Sequence, residues 1–431
     1  MQVELAECYS NTDLGQEAAD ILSPCVQCGQ CTFTCPTFRL LNDEWDGPRG
    51  RIYLIKQFLE DKEPSLDLLP PAYTLKTLEG RSLQANLQLH LDRCLGCRSC
   101  ETSCPQDVNY GRLLDIGREL VDKKVQRSVK DKLRRWAIRN VVPYRLRFTA
   151  LLRTGQLFRP LLPSALRSRI PQRRMASKWP ERQHPRTMLL WQGCVQSALA
   201  PNINAATARV LDRFGIHLIP VGNSCCGAMS HHMAETDQAR SFMRKNIDAL
   251  WPHIEDGAQG IILTASGCGM HFHDYGHILN DDPQYSDKAK RISDLTIDIA
   301  EIVAEEWQEG GRYELPVSQR PRRIAFQSSC SLQHGEKLNG VVEKSLKRAG
   351  FKLVPVAYKF MCCGSAGTYS LLQRKLSESL RATKMETLLA SRPELIVTAN
   401  IGCLTHLAAT SPVPVSHWIE LLDEAFTNAG L

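Results

Sequence analysis

Read as a pattern of apolar and polar positions, the chain divides into a helical first part and a second part in which strands alternate with helices. After Asp46-Gly47-Pro48, a cap signal with proline at an early helical position, Ile52, Ile55 and Leu59 with Leu54 and Phe58 recur at helical spacing. Leu113, Leu114, Ile116 and Leu120 predict another helix, and Pro70 and Pro71 within Leu66 to Ala72 predict a connecting loop between the two. In the second half the helical face Ile203, Thr207, Leu211, Phe214, Gly215 returns 135 residues later as Leu338, Val342, Leu346, Ala349, Gly350. The strand Leu218-Ile219-Pro220-Val221 returns as Leu353-Val354-Pro355-Val356, and Ile261-Ile262-Leu263-Thr264-Ala265 is matched by Leu395-Ile396-Val397-Thr398-Ala399. Strands of β-branched residues alternating with amphipathic helices predict two α/β units, packed as pseudo-symmetric halves.

Composition removes several classes. A length of 431 residues suffices for two to four domains, and 43% hydrophobic with 23% charged residues is an ordinary globular balance. Mean hydropathy is −0.26, and no apolar stretch approaches the roughly 18 residues that cross a bilayer. Met1-Gln2-Val3-Glu4-Leu5 lacks the basic and apolar regions of a signal peptide, so a cytoplasmic location is expected. The net charge of +7 hides an asymmetry: Lys123 to Thr187 holds 19 Lys or Arg against Asp131 and Glu181, and the remainder is acidic. Pro143, Pro160, Pro163, Pro171, Pro180 and Pro185 divide this stretch, which reads as a basic connector with short helices. Trp136, Tyr144, Phe148, Phe158 and Trp179 supply interfacial anchors for an anionic lipid surface, although an acidic partner subunit or the chain's own acidic remainder neutralises the charge equally well. No recognition fold accompanies the charge, so nucleic acid is not expected as a partner.

Cysteine changes the picture most. There are 17, and all but Cys8 fall into four sets of four. An odd count without an export signal argues against a disulfide framework and for thiolates that hold metal. Two sets, Cys25, Cys28, Cys31, Cys35 and Cys94, Cys97, Cys100, Cys104, share the spacing Cys-x-x-Cys-x-x-Cys-x-x-x-Cys-Pro. In two-cluster ferredoxins the fourth cysteine of each such run ligates the other cluster. This predicts one [4Fe–4S] cluster on Cys25, Cys28, Cys31 and Cys104 and a second on Cys94, Cys97, Cys100 and Cys35. Structural zinc is the alternative, but zinc gains nothing from two duplicated runs that each end in proline. Arg49 and Arg51 follow the first run closely enough to stabilise the reduced, more negative state of its cluster, with solvated surface charge as the equally available reading. The 58 residues between Cys35 and Cys94 exceed a compact bacterial ferredoxin and, with the helical patterning, predict a larger all-helical ferredoxin-like domain over 1–122. The connector then occupies 123–187, and the two α/β units occupy 188–310 and 311–431.

Each α/β unit offers one early cysteine, an adjacent pair in Cys-Cys-Gly and one late cysteine: Cys194, Cys225, Cys226, Cys268, then Cys330, Cys362, Cys363, Cys403. Both late cysteines begin a Cys-x-x-His, which makes His271 and His406 possible ligands in a mixed set. These thiols are candidates for a third cluster or for redox chemistry, with buried small side chains of a duplicated core as the plainer reading. His231-His232, His273 and His277 are read as satisfied by water or backbone. No paired carboxylates, Ser-His-Asp set, phosphate loop or dinucleotide fingerprint is present, so no catalytic residue for substrate chemistry is expected in this chain.

The Cys-Cys-Gly repeat resembles the cysteine-rich domain shared by heterodisulfide reductase subunits and the iron–sulfur subunits of several respiratory dehydrogenases. The order of cluster module, basic connector and two Cys-Cys-Gly units is similar to that of the iron–sulfur subunits of bacterial glycolate oxidases. So are Asp46-Gly47-Pro48-Arg49-Gly50-Arg51-Ile52-Tyr53, Ser266-Gly267-Cys268-Gly269, Cys362-Cys363-Gly364-Ser365-Ala366-Gly367 and Thr398-Ala399-Asn400-Ile401-Gly402-Cys403. The resemblance spans nearly the whole chain. It implies an electron-transfer subunit beside FAD-containing subunits that oxidise glycolate to glyoxylate, with electrons passed toward quinone at the cytoplasmic face of the inner membrane. Subunits for L-lactate or glycerol-3-phosphate oxidation, thiol–disulfide chemistry and a redox-inactive zinc adaptor are the alternatives. The sequence departs from the heterodisulfide reductase pattern at His271 and His406, where those reductases with a noncubane cluster carry cysteine.

Overall fold

The computed structural model describes residues 1–62, 82–163, 167, 170–222, 224–310, 315 and 321–430. The loop expected at 66–72 lies outside them. The chain forms two compact units, one of Met1–Arg135, His231–Thr236 and Phe360–Ala382, the other of Trp136–Ser230, Asp237–Lys359 and Thr383–Leu431.

Among its described residues the first unit contains helices and no strand. Its core is built by α1 (Asp13–Leu22), α2 (Pro48–Leu59), α3 (Leu83–Asp92) and α4 (Tyr110–Lys124). Proline at the first position of α2 leaves no amide proton to orphan and fixes φ for the helix. Leu54, Ile55 and Leu59 of α2 then cluster with Leu87 and Leu91 of α3 and Leu113 and Ile116 of α4, all of them fully buried. Removing each such side chain from water stabilises the fold by about 1.5–3 kcal/mol. A short turn at Glu44–Asp46 presses onto α2 so closely that a Cβ on Gly50 would stand 2.2 Å from the Glu44 carbonyl oxygen. Only glycine permits that approach. Asn109 caps α4 by accepting from the Arg112 N–H at 3.2 Å, and Lys123 and Lys124 in its last turn complement the helix dipole.

The basic stretch forms longer elements than its prolines suggest. Helices α5 (Val129–Val141) and α6 (Arg145–Phe158) run for 13 and 14 residues. Pro143 falls between them and Pro160 in the turn after α6, where a missing N–H costs nothing. Helix α6 buries none of its residues.

The second unit holds two four-stranded parallel sheets. The first has the order β2-β1-β3-β4, with β1 Arg186–Trp191, β2 Ile216–Val221, β3 Ile261–Leu263 and β4 Thr296–Asp298. The second repeats it as β6-β5-β7-β8, with β5 Arg323–Gln327, β6 Lys352–Leu353, β7 Leu395–Thr398 and β8 Val415–His417. All positions of β3 and β7 are buried, as expected of inner strands covered on both faces. Pro220 sits in the edge strand β2, where it removes no ladder bond to a further neighbour, and β6 ends at Leu353, three residues short of the expected strand and two before Pro355.

The halves pack reciprocally. Helix α7 (Asn202–Arg213) of the first repeat lies on the last helix of the second, which is numbered α12 (Trp418–Asn428) after α8 (Ser266–His273), α9 (Ile299–Gly310), α10 (Val341–Arg348) and α11 (Ile401–Ala408). Helix α10, the counterpart of α7, lies on α9, the counterpart of α12. Asp423 of α12 accepts from Arg209 at 2.5 Å and from Arg213 at 2.9 Å, both on α7. The repeats therefore share one construction, with Asp298 ending β4 and capping α9, and His417 ending β8 and capping α12.

Candidate iron–sulfur centres

The two N-terminal cysteine runs fold as matching loops. Each enters a one-turn helix, Gln30–Phe33 or Ser99–Thr102, through a residue in the left-handed region, Gly29 or Arg98. The turns pack on one another. Beside Cys35 and Cys104, the Thr34 and Ser103 hydroxyls stand 3.0 Å apart, and Thr34 also donates to the Ser99 carbonyl at 3.2 Å.

This crossing sorts the thiols into two groups. Cys31 lies within the electrostatic reach of Cys25, Cys104 and Cys28, and Cys25 within that of Cys104 and Cys28. Cys100 neighbours Cys97, Cys94 and Cys35. Burial, followed by the charges of Cys25 and Cys104, pushes the Cys31 thiol up to about 12, and burial likewise raises Cys25 and Cys100. Crowded, desolvated thiols repel as anions, and a bound cationic core relieves that repulsion. A cavity lined by Cys25, Cys28, Cys31 and Cys104, with Cys100 of the other group also in its wall, is bounded by Ile52, Pro105 and Val108 and reached by Arg49. Thiolate-only donors in an apolar enclosure are the ligand chemistry of iron–sulfur clusters.

The arginines divide between the two groups. Arg49, paired with Glu44 at 2.6 Å, serves the cavity of the Cys25 group. Arg51 turns inward to the other group, is 1% exposed, and directs Nη1 at Cys35 Sγ from 3.9 Å. Its remaining N–H groups donate to the His90 carbonyl at 2.8 Å and the Thr37 hydroxyl at 3.1 Å. Asp46 anchors the network, pairing with Arg51 at 3.4 Å, His90 Nδ1 at 2.9 Å and Arg93 at 2.7 Å. Burial works to raise the Asp46 carboxyl, but the His90 hydrogen bond and the two arginines outweigh it and hold it below the ordinary range. Tyr110 donates to Cys94 Sγ at 3.7 Å. Sequence reading pointed to Arg51 but not to its cluster side, and nothing in the pattern marked His90.

In the second unit the cysteines of the first repeat follow the carboxyl ends of three strands, Cys194 after β1, Cys225 and Cys226 after β2, and Cys268 after β3. With β1 flanked by β2 and β3, the chain reverses its direction of winding here, where open parallel sheets bind ligands. Cys194, Cys225 and Cys226 are buried and Cys268 partly so. Cys225 is hydrogen-bonded by Cys194 and Cys226, which lowers its thiol well below the ordinary value and raises theirs. The Gly227 N–H adds a contact to Cys225 Sγ at 3.4 Å. Asn246 holds the Cys225 carbonyl at 2.8 Å and Tyr275 the Cys226 carbonyl at 2.5 Å, two supports that the repeat did not announce. His271 is buried, with Nε2 3.2 Å from where a Cβ on Gly227 would stand.

The corresponding cysteines of the second repeat divide between units. Cys330 and Cys403 belong to the second, with half-buried His406 three residues beyond Cys403 on α11, and Cys362 and Cys363 belong to the first. The local turn is the same, since Gly364 N–H reaches Cys362 Sγ at 3.4 Å. Cys8 is exposed and joins no group.

These features define a cysteine-rich iron–sulfur protein. The profile of the 4Fe-4S dicluster domain matches residues 21–108, and that of the Cysteine-rich domain matches 188–273 and again 324–408. The chain is 47% identical over 427 residues, 99% of either chain, to the glycolate oxidase iron-sulfur subunit of Escherichia coli K12, and it belongs to that family. It is 28% identical, over 93% of either chain, to the probable glycolate oxidase iron-sulfur subunit of Bacillus subtilis. Lactate utilization protein A of Bacillus licheniformis aligns at 23% identity with 53% of this chain and 96% of its own length. A crystal structure of a hypothetical protein from Helicobacter pylori shares the fold, with a TM-score of 0.56 at 11% identity over 99% of this chain and 74% of that one.

Proposed function

We propose that this chain is the electron-relay subunit of a complex in which an FAD-containing partner oxidises glycolate to glyoxylate, the electrons passing on toward membrane quinone. The observation that carries this reading is that Cys104 neighbours Cys25 and Cys31 while Cys35 neighbours Cys100, so that each run meets the last cysteine of the other. The glycolate oxidase name of a relative that is 47% identical supports the donor. Oxidation of the 2-hydroxy acid releases two electrons and two protons, and a bound [4Fe–4S] cluster carries one electron at a time. Cys25, Cys28, Cys31 and Cys104 hold one cluster, and Cys94, Cys97, Cys100 and Cys35 the second, within an all-helical ferredoxin-like domain over 1–122. Ile52, Val108 and Pro105 keep water from the first, while Arg51 offsets the negative charge gained by the second on reduction. Cys194, Cys225, Cys226 and Cys268 hold a further cluster between the strand ends of the 188–310 unit. Cys330, Cys362, Cys363 and Cys403 are the corresponding thiols of the second sequence repeat, 311–431.

Among the described residues no helix is long and apolar enough to cross a membrane. In the 123–187 connector, Leu146, Leu151 and Leu157 of α6 are exposed among arginines, together with Phe158 and Trp136, a composition that suits the anionic cytoplasmic leaflet. Tyr144 is not free for that role, because it packs on Phe242 at 5.5 Å.

The test is anaerobic purification with the flavoprotein. A brown complex with about eight irons per chain in the N-terminal domain, and more with a third cluster, is expected to reduce a quinone analogue with glycolate. L-Lactate as the donor is the second reading, favoured by the likeness to Lactate utilization protein A. Activity with lactate alone would establish it, and a colourless protein without iron would overturn both.

A further inference from the structure

The adjacent histidines after the first Cys-Cys-Gly motif, His231 and His232, have no part in the electron relay proposed above. His231 and His232 lie in the first unit with α4. Each points its Nδ1 at a different oxygen of Asp115, His231 at Oδ2 and His232 at Oδ1, both 3.8 Å away. The three donor atoms all fall within 4.8 Å of one another.

Two features separate this cluster from an ordinary ion pair. A separation of 3.8 Å is too long for a strong nitrogen–oxygen hydrogen bond, which closes to about 2.7–3.2 Å. It approaches the edge of about 3.3 Å that donors span round a zinc ion at 2.0–2.1 Å. Moreover, among the described residues no arginine or lysine pairs with Asp115. Nearby Arg112 is held in a fork by Glu17 at 2.6 Å, and Arg118 donates to the Leu91 and Cys94 carbonyls at 3.0 and 2.9 Å. The contrast is Asp43, Asp46 and His90, the other such grouping, where Arg51 and Arg93 already occupy the carboxylate of Asp46.

We infer that Asp115, His231 and His232 form a binding site for a first-row divalent metal ion, with zinc the expected occupant and water completing the shell. Two imidazoles and a carboxylate match zinc in ligand type and leave an open position. The site is distinct in chemistry from the thiolate centres, which select iron–sulfur clusters. His232 is 36% exposed at its side chain and His231 and Asp115 9% and 14%, so an ion can enter from solvent yet be held by partly desolvated donors. The ion would tie α4 to the His231–Thr236 segment, which also meets α4 through Thr236 and Glu119, 3.3 Å apart.

The experiment uses full-length protein purified without a histidine tag, with clusters intact, stripped of loose metal and dialysed against Zn²⁺. About one zinc per chain is expected, with a dissociation constant at or below about 1 µM. X-ray absorption at the zinc edge should show nitrogen and oxygen neighbours only. His232→Gln and Asp115→Asn should each weaken binding at least about tenfold while leaving iron content and visible absorption unchanged. Absence of zinc binding, sulfur among its neighbours, or equal affinity in a His232→Gln protein that retains its iron would overturn the site. Should both variants fail to fold, the wild-type stoichiometry and absorption spectrum still decide.

Discussion

Replacing Arg51 by methionine removes a buried positive charge while keeping much of the side chain's length, and it should make the Cys35-linked centre harder to reduce. A unit charge 3.9 Å from the Cys35 sulfur stabilises a negative charge resting there by about 4 kcal/mol at an effective dielectric constant of about 20. An added electron spreads over the whole cluster, so about half of that, about 2 kcal/mol, is realised. For a one-electron couple this is about 90 mV toward lower potential. Asp46 is left next to the site, but it keeps Arg93 at 2.7 Å and His90 at 2.9 Å, so the fold should survive with a stability loss of about 3 kcal/mol. The assay is an anaerobic redox titration followed by electron paramagnetic resonance, with iron content as the control for occupancy. Arg51→Lys, which retains the charge but not the fork, should shift by less than half as much. The reasoning fails if Arg51→Met keeps full iron and both N-terminal centres titrate within about 20 mV of wild type, or if methionine and lysine give equal shifts.

Three further outcomes are expected. Burial lowers His417 from the ordinary imidazole value of 6.5 to about 4. The folded protein therefore binds fewer protons than the unfolded chain between those values, and stability should fall by about 2 kcal/mol as pH drops from 7 to 5; urea unfolding of His417→Asn, which keeps a capping side chain, should lack that component. Asp423→Ala strands Arg209 and Arg213 and should cost about 2–3 kcal/mol in the same assay, and a loss under about 0.5 kcal/mol would contradict their pairing in the structure. Cys225→Ser should lower iron content without altering the signals of the two N-terminal centres, whereas Cys8→Ser should leave iron unchanged, as metal analysis of both will tell.

The repeat was readable because parallel strands covered on both faces must be continuously apolar, and Ile261-Ile262-Leu263 and Leu395-Ile396-Val397 announce themselves. Strands β4 and β8 escaped notice because they are three residues long and each runs directly into a helix, so no period of two develops. Helix α2 was legible from Pro48 and its spacing, yet that pattern treats Arg51 as a polar face. The structure buries it because Asp46, Thr37 and the His90 carbonyl satisfy its donors, partners that lie up to 39 residues away. The same limit hid the meeting of His231 and His232 with Asp115, since a tertiary contact between distant segments leaves no local periodicity. Conversely, the cysteine spacing was informative because a cluster takes three of its four ligands from a single loop, and that loop leaves a fixed local pattern.

The crossed arrangement of α7 on α12 and α10 on α9 bears on how this protein can be dissected. Neither α/β half owns the helix that shields its flank, so a fragment ending near residue 310 would bare α7 to solvent, and one starting near 321 would bare α10. Genes trimmed at the repeat boundary should yield insoluble products singly and soluble ones when both pieces are produced together.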